Sequence, residues 1–484
     1  MRRLLLCCAI AAAAWVLYAL SLDRTALSIG WGFGLGLMGI ALISFTTASR
    51  RVFVAPVVFA ANYLLGVVVA FGGLVQDPSS IPRAGFRSIG RFDFTNGAFV
   101  WPAEVICAGL LGIVVATLAA ERWVPRSVPV ARVMRLGLVP MIASWALFST
   151  VLIGACAALG LGRTGLNNGT ELPFALGGLL VYLRDFLFPA LAALVLDAAV
   201  RARRTGLVYV VLALMLVLGV ASSIFALSRA RFVMAMMPAA LLALRGGDEV
   251  RWFRRRASPV LGLFVLSSTL IISRVDTVRR AAFTSGTMTA EETVTASERD
   301  DASEGSGWQR IGALATDRVG GARELLAVSG SRARGLDAVW GIVEGDGTWV
   351  ERVTVESFGF LPASNRSLAF GISLGLWGTL SLADSWLFVF LASALLIVIP
   401  LVTEIVFARL GQGMVGQMLS LQFVLVLWGG PQTFTVSRVI AVVLMAIAVI
   451  LLSTKRPPQT SRLASGASSS LRHDPLGDDR ARRD

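Results

Sequence analysis

Apolar runs long enough to cross a membrane alternate with short polar connections over most of the 484 residues. A hydrocarbon core about 30 Å thick needs roughly 20 apolar residues in a helix rising about 1.5 Å per residue. Such runs fall near residues 4–21, 26–46, 52–75, 98–120, 137–162, 174–199, 206–228, 232–244, 258–273, 385–407, 414–431 and 437–453. Backbone groups in hydrocarbon must be satisfied within each segment. The pattern therefore predicts an all-α, polytopic membrane helical bundle of about twelve transmembrane helices. The first run, MRRLLLCCAIAAAAWVLYAL, starts like a signal peptide. It lacks a small-x-small cleavage site and another run follows at once, so it is read as the first crossing.

The connections carry the orientation. SRR at 49–51, the stretch 121–135, RARR at 201–204, RGGDEVRWFRRR at 245–256, Arg409 and the tail from Lys455 all share one side if the crossings alternate. Basic connections mark the cytoplasmic face, which puts both termini in the cytoplasm. Four regions follow: helices one to nine with short loops (1–273), a large extracytoplasmic loop (274–384), helices ten to twelve (385–453) and a disordered cytoplasmic tail (454–484). Ala369–Leu382 is apolar enough to dip back into the membrane.

Inside the large loop, residues 288–307 are acidic, polar and read as disordered, whereas 308–345 reads as helical. Ile311, Leu314, Val319, Ala322, Leu325 and Leu326 recur at helical spacing and predict a helix ending near Gly330. Leu336, Val339, Trp340 and Val343 predict a second, ending near Gly345. Arg310, Arg318, Arg323, Arg332 and Arg334 stud this stretch against Asp317 and Glu324. Two readings are open: helices lying on the lipid surface with basic residues toward headgroups, or a guanidinium cradle for a diphosphate.

Composition narrows the chemistry. Charged residues make up 15% of the chain, against about 25% in soluble proteins. The net charge of +14 is carried by arginines apart from Lys455, and most of them sit in connections, so nucleic-acid binding is rejected. Cys7, Cys8, Cys107 and Cys156 lie in apolar runs and the single histidine, His473, is in the tail, which leaves no expected metal, disulfide framework or cofactor. There is no phosphate-binding G-x-x-x-x-G-K-[ST] loop. Glu104 and Glu404 fall near run ends and read as interfacial, which disfavours ion-coupled transport.

Two further constellations carry charge into the apolar blocks. Ser228-Arg229-Ala230-Arg231 reads as a turn before Phe232–Leu244, a run of 13 residues. That run reaches only about 20 Å, so its outer end is drawn inward and Arg229 and Arg231 sit near the depth of a headgroup phosphate. Arg184 lies near the middle of its run, among Leu180, Val181, Leu187 and Phe188, with Asp185 pointing about 100° away. An unpaired arginine there costs at least ~2.5 kcal/mol. It must face a polar cavity or a partner on another helix.

The layout resembles the Wzy-type oligosaccharide repeat-unit (O-antigen) polymerases. The resemblance is carried by the serine–arginine turn SRARF at 228–232 before a short helix and by the long loop in the C-terminal half. It extends to arginine followed eleven residues later by glycine, at Arg310/Gly321 and Arg334/Gly345, and to ESFGFLPASNRSLAFGISLGLWGTL at 356–380 as the return to the membrane. The loop has no histidine, which separates it from the O-antigen ligases. The resemblance implies a metal-free enzyme of the bacterial cytoplasmic membrane that joins undecaprenyl-diphosphate-linked oligosaccharides, with a flippase and a chain-length regulator as partners. It implies diphosphate contacts at Arg184, Arg229, Arg231, Arg310 and Arg334. At the reacting centre it implies Arg318 and Arg323 with Glu324 as base; Asp317, Asp337, Glu351 and Glu356 are the other carboxylates available. A transporter or flippase of lipid-linked oligosaccharide is the first alternative. A polyprenyl-phosphate-sugar-dependent glycosyltransferase is the second, though the first outer loop offers only Asp23 beside Arg24.

Overall fold

Helices account for nearly all of the computed structural model, which describes residues 53–59, 100–123, 132–134, 137–162, 172–173, 176–226, 228–244, a few positions between 252 and 267, 322–344, 347–358, 375–428 and 436–455. The first two apolar runs, the acidic stretch 288–307, Arg310, Arg318 and the tail beyond Lys455 lie outside the described residues.

Among the described residues five helical spans are long and apolar enough to cross a membrane: Glu104–Glu121, Leu138–Ala158, Leu176–Arg201, Thr205–Phe225 and Trp386–Arg409. Their outward faces carry Leu147, Val151, Val217, Leu391 and Leu395, all more than half exposed. Apolar side chains in that position require lipid, so the chain is a multi-pass membrane protein. In chain order the helices are α1 (Val100–Glu121), α2 (Leu138–Ala158) and α3 (Leu176–Tyr182). A π-helical turn, Leu183–Leu187, joins α3 to α4 (Phe188–Arg201). Then come α5 (Thr205–Phe225) and α6 (Arg229–Leu244).

Among the described residues the segment read as a loop holds four helices: α7 (Ala322–Ser329), α8 (Leu336–Glu344), α9 (Gly347–Phe358) and α10 (Leu376–Ser381). The bundle closes with α11 (Trp386–Arg409), α12 (Gly413–Trp428) and α13 (Val436–Leu452).

The two largest apolar cores among the described residues share one wall. The first joins α1, α11, α10 and the inner faces of α7 and α8, with Leu325, Leu326, Val339 and Ile342 buried in it. The second joins α2, α4, α5 and α6. Helix α12 supplies Val424 and Leu427 to the first and Met414, Met418 and Leu421 to the second. Helices α7 and α8 thus pack Leu325, Leu326, Val339 and Ile342 against the protein, while Leu336 and Trp340 of α8 stay about half exposed. All six residues of α10 are buried. Its Trp377 packs edge-on to Phe59, at 5.5 Å between ring centroids, and donates from Nε1 to Ser393 Oγ at 3.1 Å.

Three expectations are refined. First, Ser228–Arg231 is no free turn. Ser228 N donates to Ser223 O and Ser223 Oγ donates to Ser228 O, closing the end of α5, and Arg229 and Arg231 enter the first turn of α6. That helix has 16 residues, about 24 Å, still shorter than a bilayer core. Second, Glu404, near the end of its run, is buried in α11, where its carboxylate accepts from Val54 N, Ala55 N and Ser420 Oγ at 3.1, 3.0 and 2.7 Å. It serves as a cap for the helical residues 54–59, whose first N–H groups have no partner within the helix. Third, the fold is all-helical as expected, apart from one short strand pair among the described residues. Strand β1 (Arg132–Met134) pairs antiparallel with β2 (Ser453–Lys455), Arg132 opposite Lys455.

The ladder is one of several contacts that gather the basic connections at one end of the bundle. Arg409 Nη2 donates to Trp123 O at 2.7 Å, Tyr209 OH to Arg256 O at 2.9 Å and Arg201 Nη2 to Gly411 O at 3.4 Å.

Candidate functional site

At the end of the bundle away from those connections, charge enters the protein at a break in a helix. Pro189 sits at the start of α4 and has no N–H to offer, so the carbonyl of Asp185 loses its usual helical partner. Phe188 N bonds Leu183 O, five residues back, and the chain widens into the π turn Leu183–Leu187. Such turns occur mostly as single bulges and concentrate at functional sites. The carbonyls of Asp185 and Phe186 receive hydrogen bonds from Gln422 Nε2 of α12, at 3.3 and 3.2 Å. Gln422 is buried, and an amide inside a membrane bundle is best placed where it satisfies such a carbonyl.

The π turn carries Arg184 and Asp185. Arg184 Nε donates to Asp185 Oδ1 at 2.9 Å, and Arg231 Nη1, from the first turn of α6, donates to the same oxygen at 2.6 Å. One carboxylate oxygen therefore bridges two guanidiniums. This corrects the view of Arg184 as unpartnered within its own span: the wider turn and the long arginine side chain bring the sequence neighbour within reach. A clamp between helices is made by Arg231 of α6 and Asp185.

The remaining donors go to the frayed end of α2. Gly160 (φ +65°) and Gly162 (φ +63°) turn the chain through the left-handed region. Leu161 N reaches back to Cys156 O and Gly160 N to Ala157 O, the hydrogen-bond pair of a glycine helix stop. That stop aims two carbonyls at the guanidiniums. Arg184 Nη1 bonds Leu161 O at 3.2 Å, Arg184 Nη2 bonds Gly162 O at 3.5 Å, and Arg231 Nη2 bonds Gly162 O at 3.2 Å. The level of Arg184 is thus where α2 ends and α6 begins, about 12 Å along the span from Leu176.

Electrostatically the group carries a positive surplus among the described residues. Two arginines face one aspartate, and the amino-terminal end of α6 adds partial positive charge, equivalent to about half an elementary charge. Arginines at a helix N-terminus are disfavoured by that dipole, yet Arg229 and Arg231 both stand in the first turn of α6. Arginine forks suit phosphate and carboxylate oxygens. Such a cluster, partly open at Arg231 and Asp185, can hold an oxyanion.

The other sequence-derived residues fall elsewhere. Arg323 and Glu324 lie in the first turn of α7, which packs on α10, α9 and α1. Arg334 is committed to structure: it pairs with Asp384, donates to Ser329 O at 2.8 Å and Ser331 O at 3.3 Å, and stacks over Trp101 at 5.9 Å. Glu356 is likewise an anchor. Its Oε2 accepts from Ser331 Oγ, Arg332 N and Ala333 N at 3.0, 2.8 and 2.8 Å. Burial pushes its carboxyl up, but the hydrogen bonds from Ser331, Ala333, Arg332 and Arg352 outweigh this and hold it below the ordinary carboxylate range. A carboxylate so held is a weak base.

Asp185, Gln422 and Gly162 were missed as members of the site. Their signals were present: an Asp beside an Arg inside an apolar run with proline four residues on, an amide in the middle of the apolar run LSLQFVLVLW, and the doubled glycine of LGLG at 159–162. Comparison of the chain with protein-family models, with characterised proteins and with solved structures returns no match.

Proposed function

We propose that this chain is a membrane glycosyltransferase that polymerises undecaprenyl-diphosphate-linked oligosaccharide repeat units at the outer face of the bacterial cytoplasmic membrane. In this reading the bundle has about twelve crossings, both termini are cytoplasmic, and residues 274–384 form the extracytoplasmic loop. The observation that carries it is the surplus of guanidinium charge held by Arg184 and Arg231 around Asp185, recessed at the bundle end opposite the basic connections.

In the reaction the acceptor's sugar hydroxyl attacks the donor's anomeric carbon. The bond from that carbon to the phosphate oxygen breaks, and the lipid diphosphate leaves with the bonding pair. Negative charge grows on the departing oxygen, and arginines fixed in place before the reaction stabilise it without reorganising. Arg231 and Arg229 are the diphosphate contacts, Arg184 holds the recess in shape, and Arg318 and Arg323 act from the loop. Glu324 takes the proton of the acceptor hydroxyl.

Gene disruption followed by gel analysis of surface glycan tests the reading. Loss of the long ladder, with single repeat units still reaching the surface, supports it. An unchanged ladder overturns it. Lipid-linked units trapped on the cytoplasmic side instead favour a flippase.

A further inference from the structure

We infer that Asp185 is a displaceable stand-in for the ligand's phosphate, holding Arg231 closed until an oxyanion replaces it. The inference rests on the diphosphate reading of this site and adds how the site is regulated. Its basis is an asymmetry within the triad. The Arg184 side chain is 2% exposed and all three of its donor nitrogens are engaged, with Asp185, Leu161 O and Gly162 O. Arg231 is 17% exposed and Asp185 30%. Arg184 is therefore the fixed member, and the Asp185–Arg231 contact is the one that solvent or a ligand can reach.

The rest of the geometry fits exchange. Both guanidiniums use the same oxygen of Asp185, so losing Arg231 leaves the aspartate still neutralised by Arg184. Phosphate oxygens compete for the same fork as a carboxylate, with more charge. The backbone beneath is pinned, because Gln422 holds the carbonyls of Asp185 and Phe186; the side chain can swing while the π turn stays. Without a ligand the contact spares the membrane an uncompensated arginine, whose exposure to hydrocarbon is costly. With one, the ligand must outcompete an internal anion, which lowers its apparent affinity and rejects weak anions.

The test uses the full-length protein in lipid nanodiscs and inorganic pyrophosphate as the probe, titrated calorimetrically at fixed ionic strength. D185N keeps the side-chain shape and an acceptor for Arg184 while removing the charge. It is expected to bind pyrophosphate about tenfold more tightly than the wild type, whereas R231Q loses binding. D185S, a second neutral variant, is expected to tighten binding in the same direction. Neutral variants that fold but bind no more tightly than the wild type overturn the inference and leave the proposed function standing. If neither variant folds, Asp185 is an obligatory counter-ion and the inference also falls. Absence of pyrophosphate binding in wild type and variants alike overturns the diphosphate reading beneath it.

Discussion

A Cβ atom placed on Gly162 would lie 2.6 Å from Arg184 Nη2 and 2.8 Å from a methyl of Val181. The two residues are 22 apart in sequence, and the guanidinium occupies the space a side chain would take. Gly162→Ala therefore displaces Arg184 and also forces alanine to φ +63°, a conformation costing about 1–2 kcal/mol by itself. The variant is expected to melt several degrees lower in detergent and to bind pyrophosphate at least tenfold more weakly. Unchanged melting and affinity would mean that Arg184 is not held where the structure puts it.

Glu404 offers a second test, since its carboxylate is the shared acceptor for Val54 N, Ala55 N and Ser420 Oγ. Removing it strands buried donors, each worth about 1–3 kcal/mol when unsatisfied. Glu404→Ala should lower stability by on the order of 3 kcal/mol, and Glu404→Gln, which keeps one acceptor oxygen, should lose less. Denaturation of both variants in detergent, ranked against the wild type, checks the order.

The turn at 331–334 is tied by Glu356, and the tie depends on pH. Because the folded carboxyl titrates below its ordinary value, its contribution is fully present above the unfolded carboxylate range. It is lost as pH falls through the depressed folded value. Amide exchange at Arg332 and Ala333, corrected for intrinsic rates, is expected to quicken only toward that acidic end. Glu356→Gln should show fast exchange already at neutral pH.

Arg132 and Lys455 face each other in the two-stranded ladder, and antiparallel partners lie about 4.5–5.5 Å apart at Cα. Cysteines at both positions, with the native cysteines replaced, are expected to cross-link under mild oxidation. A pair two residues out of register, Met134 with Lys455, is the negative control. Failure of the 132–455 pair alone would separate two connections that the charge pattern places on one side.

Length and apolarity made the crossing helices legible, because a membrane imposes both at once: α2, α5 and α11 fall within a few residues of the runs expected for them. The glycine stops at 160–162 were legible in principle. What periodicity could not carry was partnership. Asp185 looks misdirected on a regular helix, and only the proline-driven π turn brings it onto Arg184. Arg334 looks like a free cation until Asp384, fifty residues on, closes on it. The amphipathic stripes of α7 and α8 announce an apolar neighbour without saying whether it is lipid or protein, since both are equally oily to a leucine.

The π turn also sets the phase of everything before it. Deleting one residue between 183 and 187 would let the span wind as an unbroken α-helix, rotating α3 by about 100° and drawing it down about 1.5 Å. Leu176–Tyr182 would then present a different face to its surroundings while α4 kept its own. One surplus residue acts as a vernier between two halves of a single rod, so that one half is gripped on many sides and the other, only partly covered, takes its own angle.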